Sequence, residues 1–151
     1  MLNNKNIETG KWIKLLKHVN DKRLSEIERK LIEKRITWFY ANSTLINGLR
    51  GNDLQKAYQI LLLKIVIDEK DIPIVESSDN RIIFHSKNYC PALEACQILG
   101  LDTRIICKRV FEKPTDILVK HINPKLKFSR NYDRIRPYTD FCEETISLVL
   151  V

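Results

Sequence analysis

No apolar run in this chain is long enough to cross a bilayer. The longest, over 60–67, is interrupted by Lys64, whereas a spanning helix needs about 20 apolar residues. The first residues, Met-Leu-Asn-Asn-Lys-Asn-Ile-Glu, lack the apolar stretch of a secretory signal. A soluble, cytoplasmic protein with no membrane partner is therefore expected. Internal repeats and low-complexity tracts are also missing, which excludes solenoids and long disordered linkers. Closely spaced cysteine pairs are missing too. The four cysteines follow C-x5-C-x10-C-x34-C, whereas a structural zinc site begins with two ligands about two to four residues apart. In a cytoplasmic chain such cysteines are read as thiols or ligands rather than as disulfides. At 151 residues the chain suits one domain over 1–151 with a real core, helical over 1–70 and strand-rich over 71–151.

What is present in excess is positive charge, and it is localised. Between 104 and 136 there are ten Lys and Arg against three Asp and Glu, which accounts for the whole net charge of +7. A segment of this kind reads either as an anion site or as a solvated basic surface. Nothing in it matches a nucleic-acid-binding motif.

Periodicity gives the element order. Trp12, Ile13, Leu15, Leu16 and Val19 form one amphipathic stripe. Leu24, Ile27, Leu31, Ile32 and Ile36 form another, extended by Trp38, Phe39 and Tyr40 towards Gly48. Gly51-Asn52-Asp53 signals a helix start, and a third helix is expected over about 54–68. Strands over 72–76 and 81–87 flank Ser77-Ser78-Asp79-Asn80, a hairpin pattern. A helix from Arg104, capped by Asp102-Thr103, should break or restart near Lys113 because of Pro114 and end about Ile122. Strands over 126–132 and 141–150 close the chain. The order implies an α+β fold, with N-terminal helices packed on a four-stranded, mainly antiparallel sheet and short helices between two hairpins. Trp12, Leu16, Leu31 and Ile60 are the expected core.

The stretch Tyr-Cys-Pro-Ala-Leu-Glu-Ala-Cys-Gln-Ile-Leu-Gly over 89–100 carries the most chemical information. Proline suits the first position of a helix and glycine the position past its end. The helix should run over 91–99 with Cys90 at its N-cap. A thiol there faces free N–H groups and the positive end of the helix dipole, both of which favour the thiolate. Cys96 and Cys107 sit among apolar neighbours at helical spacing and read as core. Cys142 shares a strand face with Glu144, Ile146 and Leu148. Cys90 and Cys96 point about 120° apart around a helix, so they cannot chelate one ion together. Cys90 with Cys142 and either His85 or His121 remains a conceivable metal set, although no cofactor is expected.

The run Cys-Pro-x-x-Glu-Ala-Cys over 90–96, then Gly100, Cys107, Leu-Lys-Phe-Ser-Arg over 126–130 and Cys142, resembles the L-2-amino-thiazoline-4-carboxylic acid hydrolase-like family. The similarity spans roughly the last seventy residues. It implies a relative of enzymes that open a small cyclic amidine bearing a carboxylate. The matching positions are Cys90, Glu94, Cys96, Cys107, Arg130 and Cys142. Pro137-Tyr138-Thr139-Asp140-Phe141 departs from the glycine-containing turn expected there.

These residues support a small hydrolase acting on a carboxylated C–N bond. Cys90 would be nucleophile or positioning thiol, and Glu94 and His85 would be proton carriers, with His121 the other candidate base. Arg130, Arg134 or Arg136 would hold the carboxylate through its bidentate fork, with Cys142 beside the substrate. Arg130 shares a face with Leu126 and Phe128, so it needs a partner: Glu94, Glu144 or a ligand. A non-catalytic thiol or metal sensor is the alternative reading. A basic nucleic-acid module with Tyr132 and Tyr138 as stacking groups ranks below both.

Overall fold

A computed structural model describes residues 4–65 and 67–149. Helix α1 (Asn4–Leu16) is followed by α2 (Asp21–Ala41). The Asn20 side chain caps α2 by accepting from the Arg23 N–H at 2.8 Å. The expected continuation towards Gly48 is interrupted at Asn42. Its side-chain amide donates to the Trp38 carbonyl at 2.8 Å, beside its own backbone N–H at 3.0 Å, and caps the end of the helix. A short α3 (Ser43–Asn47) follows.

Helix α4 (Asp53–Ile65) starts with a reciprocal cap, Gln55 N–H to Asn52 Oδ1 and Asn52 N–H to Gln55 Oε1, both 2.9 Å. Gly51 makes this possible. Its φ is +107°, and a Cβ there would lie 2.3 Å from Gln55 Oε1. The helix is shorter than expected. Val66 lies outside the described residues, and the chain next forms a single 3-10 turn, Glu69–Asp71, capped by Asp68.

Strands β1 (Ile74–Ser77), β2 (Arg81–Ser86), β3 (Leu126–Arg130) and β4 (Cys142–Leu148) form one antiparallel sheet in the order β1-β2-β4-β3. The fold is α+β, with the helices between the two hairpins. Leu150, expected to end the last strand, is outside the described residues. Strand β3 stops at Arg130, so Tyr132 lies beyond it.

Helix α5 (Pro91–Leu99) begins at an extended Cys90 N-cap and ends at Gly100 in the left-handed region, φ +69°. Helix α6 (Thr103–Cys107) is capped by Asp102. The α-helix restarts at Lys113, as expected from Pro114, but with no gap before it. Residues Lys108–Glu112 widen into a π-helical turn that leads directly into α7 (Lys113–Lys120). A wider turn places one residue more per bonded ring, which accommodates a proline that cannot donate.

Two apolar clusters result. One joins α4, α7 and the sheet through Ile60, Leu61, Phe84, Leu118, Phe128 and Ile146. The other joins α1, α2, α5 and α6 through Leu16, Leu24, Ile27, Ala95, Cys96 and Ile106. The first helix therefore packs on α5 rather than on the sheet or α4. Leu16 and Ile60 are buried as expected, whereas Trp12 and Leu31 are only partly so. The seam between the clusters is where the chain's polar interior residues collect.

Packing position sets mutational cost. Ile60→Ala should destabilise by about 2–5 kcal/mol, and Leu31→Ala by less than half as much. Urea unfolding of both variants at unchanged m-value checks this. Equal losses would place Leu31 in the core.

Candidate functional site: a thiol- and guanidinium-lined cavity

A cavity of about 840 Å³ opens along the seam. The inner face of the sheet supplies Phe84, Ser86, Phe128, Arg130, Cys142 and Glu144. The start of α5 supplies Cys90, and Arg136 comes from the loop before β4. Arg35 on α2, Lys64 on α4 and Cys107 on α6 also line it, as do the acids Glu8, Asp68 and Asp71. Cys90, Cys142 and Arg130, separated by up to 52 positions in sequence, thus border one space.

Strand periodicity and register build its floor. Arg130 pairs with Glu144 across β3 and β4, and both point inward because alternate residues share a face. Arg130 Nε donates to Glu144 Oε1 at 3.1 Å, and Nη2 donates to the same oxygen. Ser86 Oγ donates to Glu144 Oε2 at 2.6 Å. The pair is enclosed, with side-chain exposures of 13% and 10%. Burial works against the Arg130 charge, but the adjacent Glu144 carboxylate outweighs it and holds the guanidinium protonated above its ordinary range. Of the three partners anticipated for Arg130, the fold selects Glu144.

Arg136 is anchored differently. Its Nε and its backbone N–H donate to Cys142 Sγ at 3.3 and 3.4 Å, and Nη1 donates to the Asn88 carbonyl. Thr103 Oγ1 fixes the Arg136 carbonyl at 2.7 Å. No carboxylate pairs with Arg136 among the described residues.

Cys90 occupies the N-cap as the sequence implies, yet its acidity runs opposite to expectation. No side-chain cap hydrogen bond forms. Burial pushes the thiol up, and the Leu93 N–H, Arg136 and Arg130 offset that only in part. Enclosure thus overrides the helix dipole, which is effective mainly where the first turn is open to the ligand or solvent. Cys96 and Cys107 are buried and pushed up to about 12, first by desolvation.

Four anticipated residues are elsewhere. His85 alternates with the inward Phe84 and Ser86, so it lies on the opposite sheet face. There its Nε2 is 3.0 Å from Glu143 and its ring stacks on Phe141 at 3.8 Å. Arg134 joins it, bonding Glu143 at 2.6 Å. Burial opposes the Glu143 charge, but Asn131, His85 and Arg134 together hold the carboxyl below its ordinary value. Glu94 is not part of the cavity lining, and neither is His121, whose ring packs between Phe39 and Tyr40. No histidine therefore joins Cys90 and Cys142. Among the described residues no group of three or more His, Cys, Asp or Glu side chains is arranged to hold a metal ion.

Half of the cations of the basic segment are paired on folding. Five of its ten cations form ion pairs: Arg104 with Asp102, Arg109 with Asp21, Lys120 with Asp116, Arg130 with Glu144 and Arg134 with Glu143. Tyr132 is partly buried against Cys107, and Tyr138 lies under Arg104 with its hydroxyl 3.2 Å from Asp102. The two rings do not make a shared stacking platform.

Arg35 and Lys64 are cavity residues that the sequence reading passed over. A signal existed. Arg35 follows Leu31 by four residues and Ile27 by eight, and Lys64 follows Ile60 by four. Each is a cation set in an apolar stripe.

No helix among the described residues is long and apolar enough to cross a membrane. Comparison with family models, with curated proteins and with solved structures finds no match.

Because its pKa is raised, Cys90 holds less thiolate at pH 7 than a free cysteine does. Iodoacetamide should modify Cys90 ahead of Cys96 and Cys107, slowly at pH 7 and progressively faster towards pH 9. Peptide mapping by mass spectrometry checks the order. Labelling at pH 7 as fast as that of free cysteine would contradict the enclosed thiol.

Proposed function

We propose that the cavity binds a small carboxylate-bearing molecule and that Cys90 attacks a C–N bond in it, the substrate being a cyclic amidine or amide. The carrying observation is the convergence of Cys90, Cys142, Arg130 and Arg136 on one enclosed space. The resemblance of the Cys-Pro helix and of the closing strands to the aminothiazoline-carboxylate hydrolase-like family supports the same chemistry.

In this reading Arg136 receives the substrate carboxylate, since no protein carboxylate competes for it. Arg130, already tied to Glu144, adds positive potential rather than a primary contact. Cys90 Sγ bonds to the electrophilic carbon, and the carbon–nitrogen bond breaks. The departing nitrogen takes the proton released by the thiol. Water then cleaves the sulfur–carbon bond and restores the thiol. The free N–H groups of the first turn of α5 face the charge that develops on the adduct. Glu94, His85 and Arg134 have no part in these steps, because none of them lines the cavity. Four free cysteines suit a reducing compartment, so we place the protein in the cytoplasm.

The test is hydrolysis and binding of 2-aminothiazoline-4-carboxylate. Cys90→Ser should abolish turnover while binding persists. Arg136→Met should weaken binding by about tenfold or more, the size of one lost charge-assisted contact. In the wild type, kcat/KM should climb with pH through the alkaline range, because the raised thiol must lose its proton to react. Undiminished turnover in Cys90→Ser would remove Cys90 from the chemistry.

A further inference from the structure

Cations in a protein interior are normally matched by anions, because an unpaired buried charge is costly. The cavity departs from that balance. Its enclosed carboxylate, Glu144, is committed to Arg130 and Ser86. Arg35 is partly buried and lines the cavity. Its guanidinium donates to Thr115 Oγ1, which itself donates to the Phe111 carbonyl at 2.8 Å. A hydroxyl supplies a dipole, not a counter-charge. No ion pair reaches Arg35 or Lys64 among the described residues. Of the other cavity acids, Glu8 and Asp68 pair with Lys11 and Lys70, and Asp71 forms no ion pair with Arg35 or Lys64.

Proximity makes the imbalance worse. Enclosure and then the Arg130 charge bring the Arg35 pKa down to about 10, partly offset by Glu144. Lys64 is lowered too, by burial first and then by Arg35 and Lys34. Arg35 and Lys64 thus repel each other within one space, and among the described residues neither is held in an ion pair by an acid of the lining. Cys90, by contrast, lies in the field of Arg136 and Arg130. Arg130 is the group common to both neighbourhoods.

We propose that Arg35 and Lys64 form a second anion subsite in this cavity, so that the natural ligand carries two acidic groups. One group meets Arg136 beside Cys90, and the other meets Arg35 and Lys64. This inference rests on the reading of the cavity as a carboxylate site. The second acidic group is a carboxylate or a phosphate-like oxyanion, either of which matches the guanidinium fork.

Isothermal titration calorimetry at fixed ionic strength tests it. Succinate, glutarate and phosphonoacetate are the dianionic probes, and propionate and butyrate are the monoanionic ones. The wild type should bind at least one dianion about tenfold or more tighter than either monoanion. Preference for phosphonoacetate over the dicarboxylates identifies a phosphate-like group, and the reverse identifies a carboxylate. Arg35→Met and Lys64→Met should each erase the dianion preference while leaving monoanion affinity within about twofold. Arg35→Lys, which keeps charge but loses the fork, should fall between, and with Lys64→Met it decides the matter should Arg35→Met fail to fold. Equal wild-type affinity for dianions and monoanions, or a preference that survives in folded Lys64→Met and Arg35→Lys, overturns the second subsite and leaves the carboxylate reading standing. If no probe binds, the carboxylate reading itself falls, and the second subsite with it.

Discussion

The interior of this protein is organised around the buried Arg130–Glu144 pair. A guanidinium and a carboxylate enclosed between sheet and helices can persist only while each neutralises the other. Their register across β3 and β4 fixes the meeting point of the last hairpin. Ser86 ties the same carboxylate to β2, so one ionic cluster links three of the four strands. The cluster also keeps apolar side chains from filling the seam. The apolar clusters of α4 with the sheet and of α1 with α5 therefore stop short of each other, and the cavity is the space left between them.

That origin explains the character of the cavity. Its walls carry thiols, hydroxyls and guanidinium groups alongside Phe84, Phe128 and Phe111. Enclosure sharpens every electrostatic contact inside it. The same enclosure raises Cys90 and lowers Arg35, so the site disfavours both a free thiolate and a full complement of unpaired cations. A bound anion relieves the second imbalance. It leaves Cys90 needing an alkaline environment or a proton acceptor on the substrate itself.

Much of this was legible in the sequence where local rules decide. Pro91 and Gly100 delimit α5 because capping is set by the residues themselves. Alternation along β3 and β4 places Arg130 and Glu144 on the inner face. The same alternation, with Ile82 and Phe84 as the apolar partners, also assigns His85 to the outer face, so its exclusion was available in principle. The charge of 104–136 was misleading because linear charge density says nothing of partners such as Asp21, which is 88 positions from Arg109. Pro114 signals an irregularity, but not that it takes the form of a π turn packed against α2 and β3. The acidity of Cys90 was wrongly inferred because a cap position fixes the dipole but not the enclosure around it.

The proposed anion site is the cavity rather than the basic surface. Backbone amide chemical-shift mapping with succinate separates the two. Saturable shifts are expected at Cys90, Thr103, Arg130, Arg136 and Cys142, with little change at the exposed Lys125 and Lys127. Shifts confined to Lys125, Lys127 and Lys113, or none at the cavity residues at saturating ligand, would contradict it.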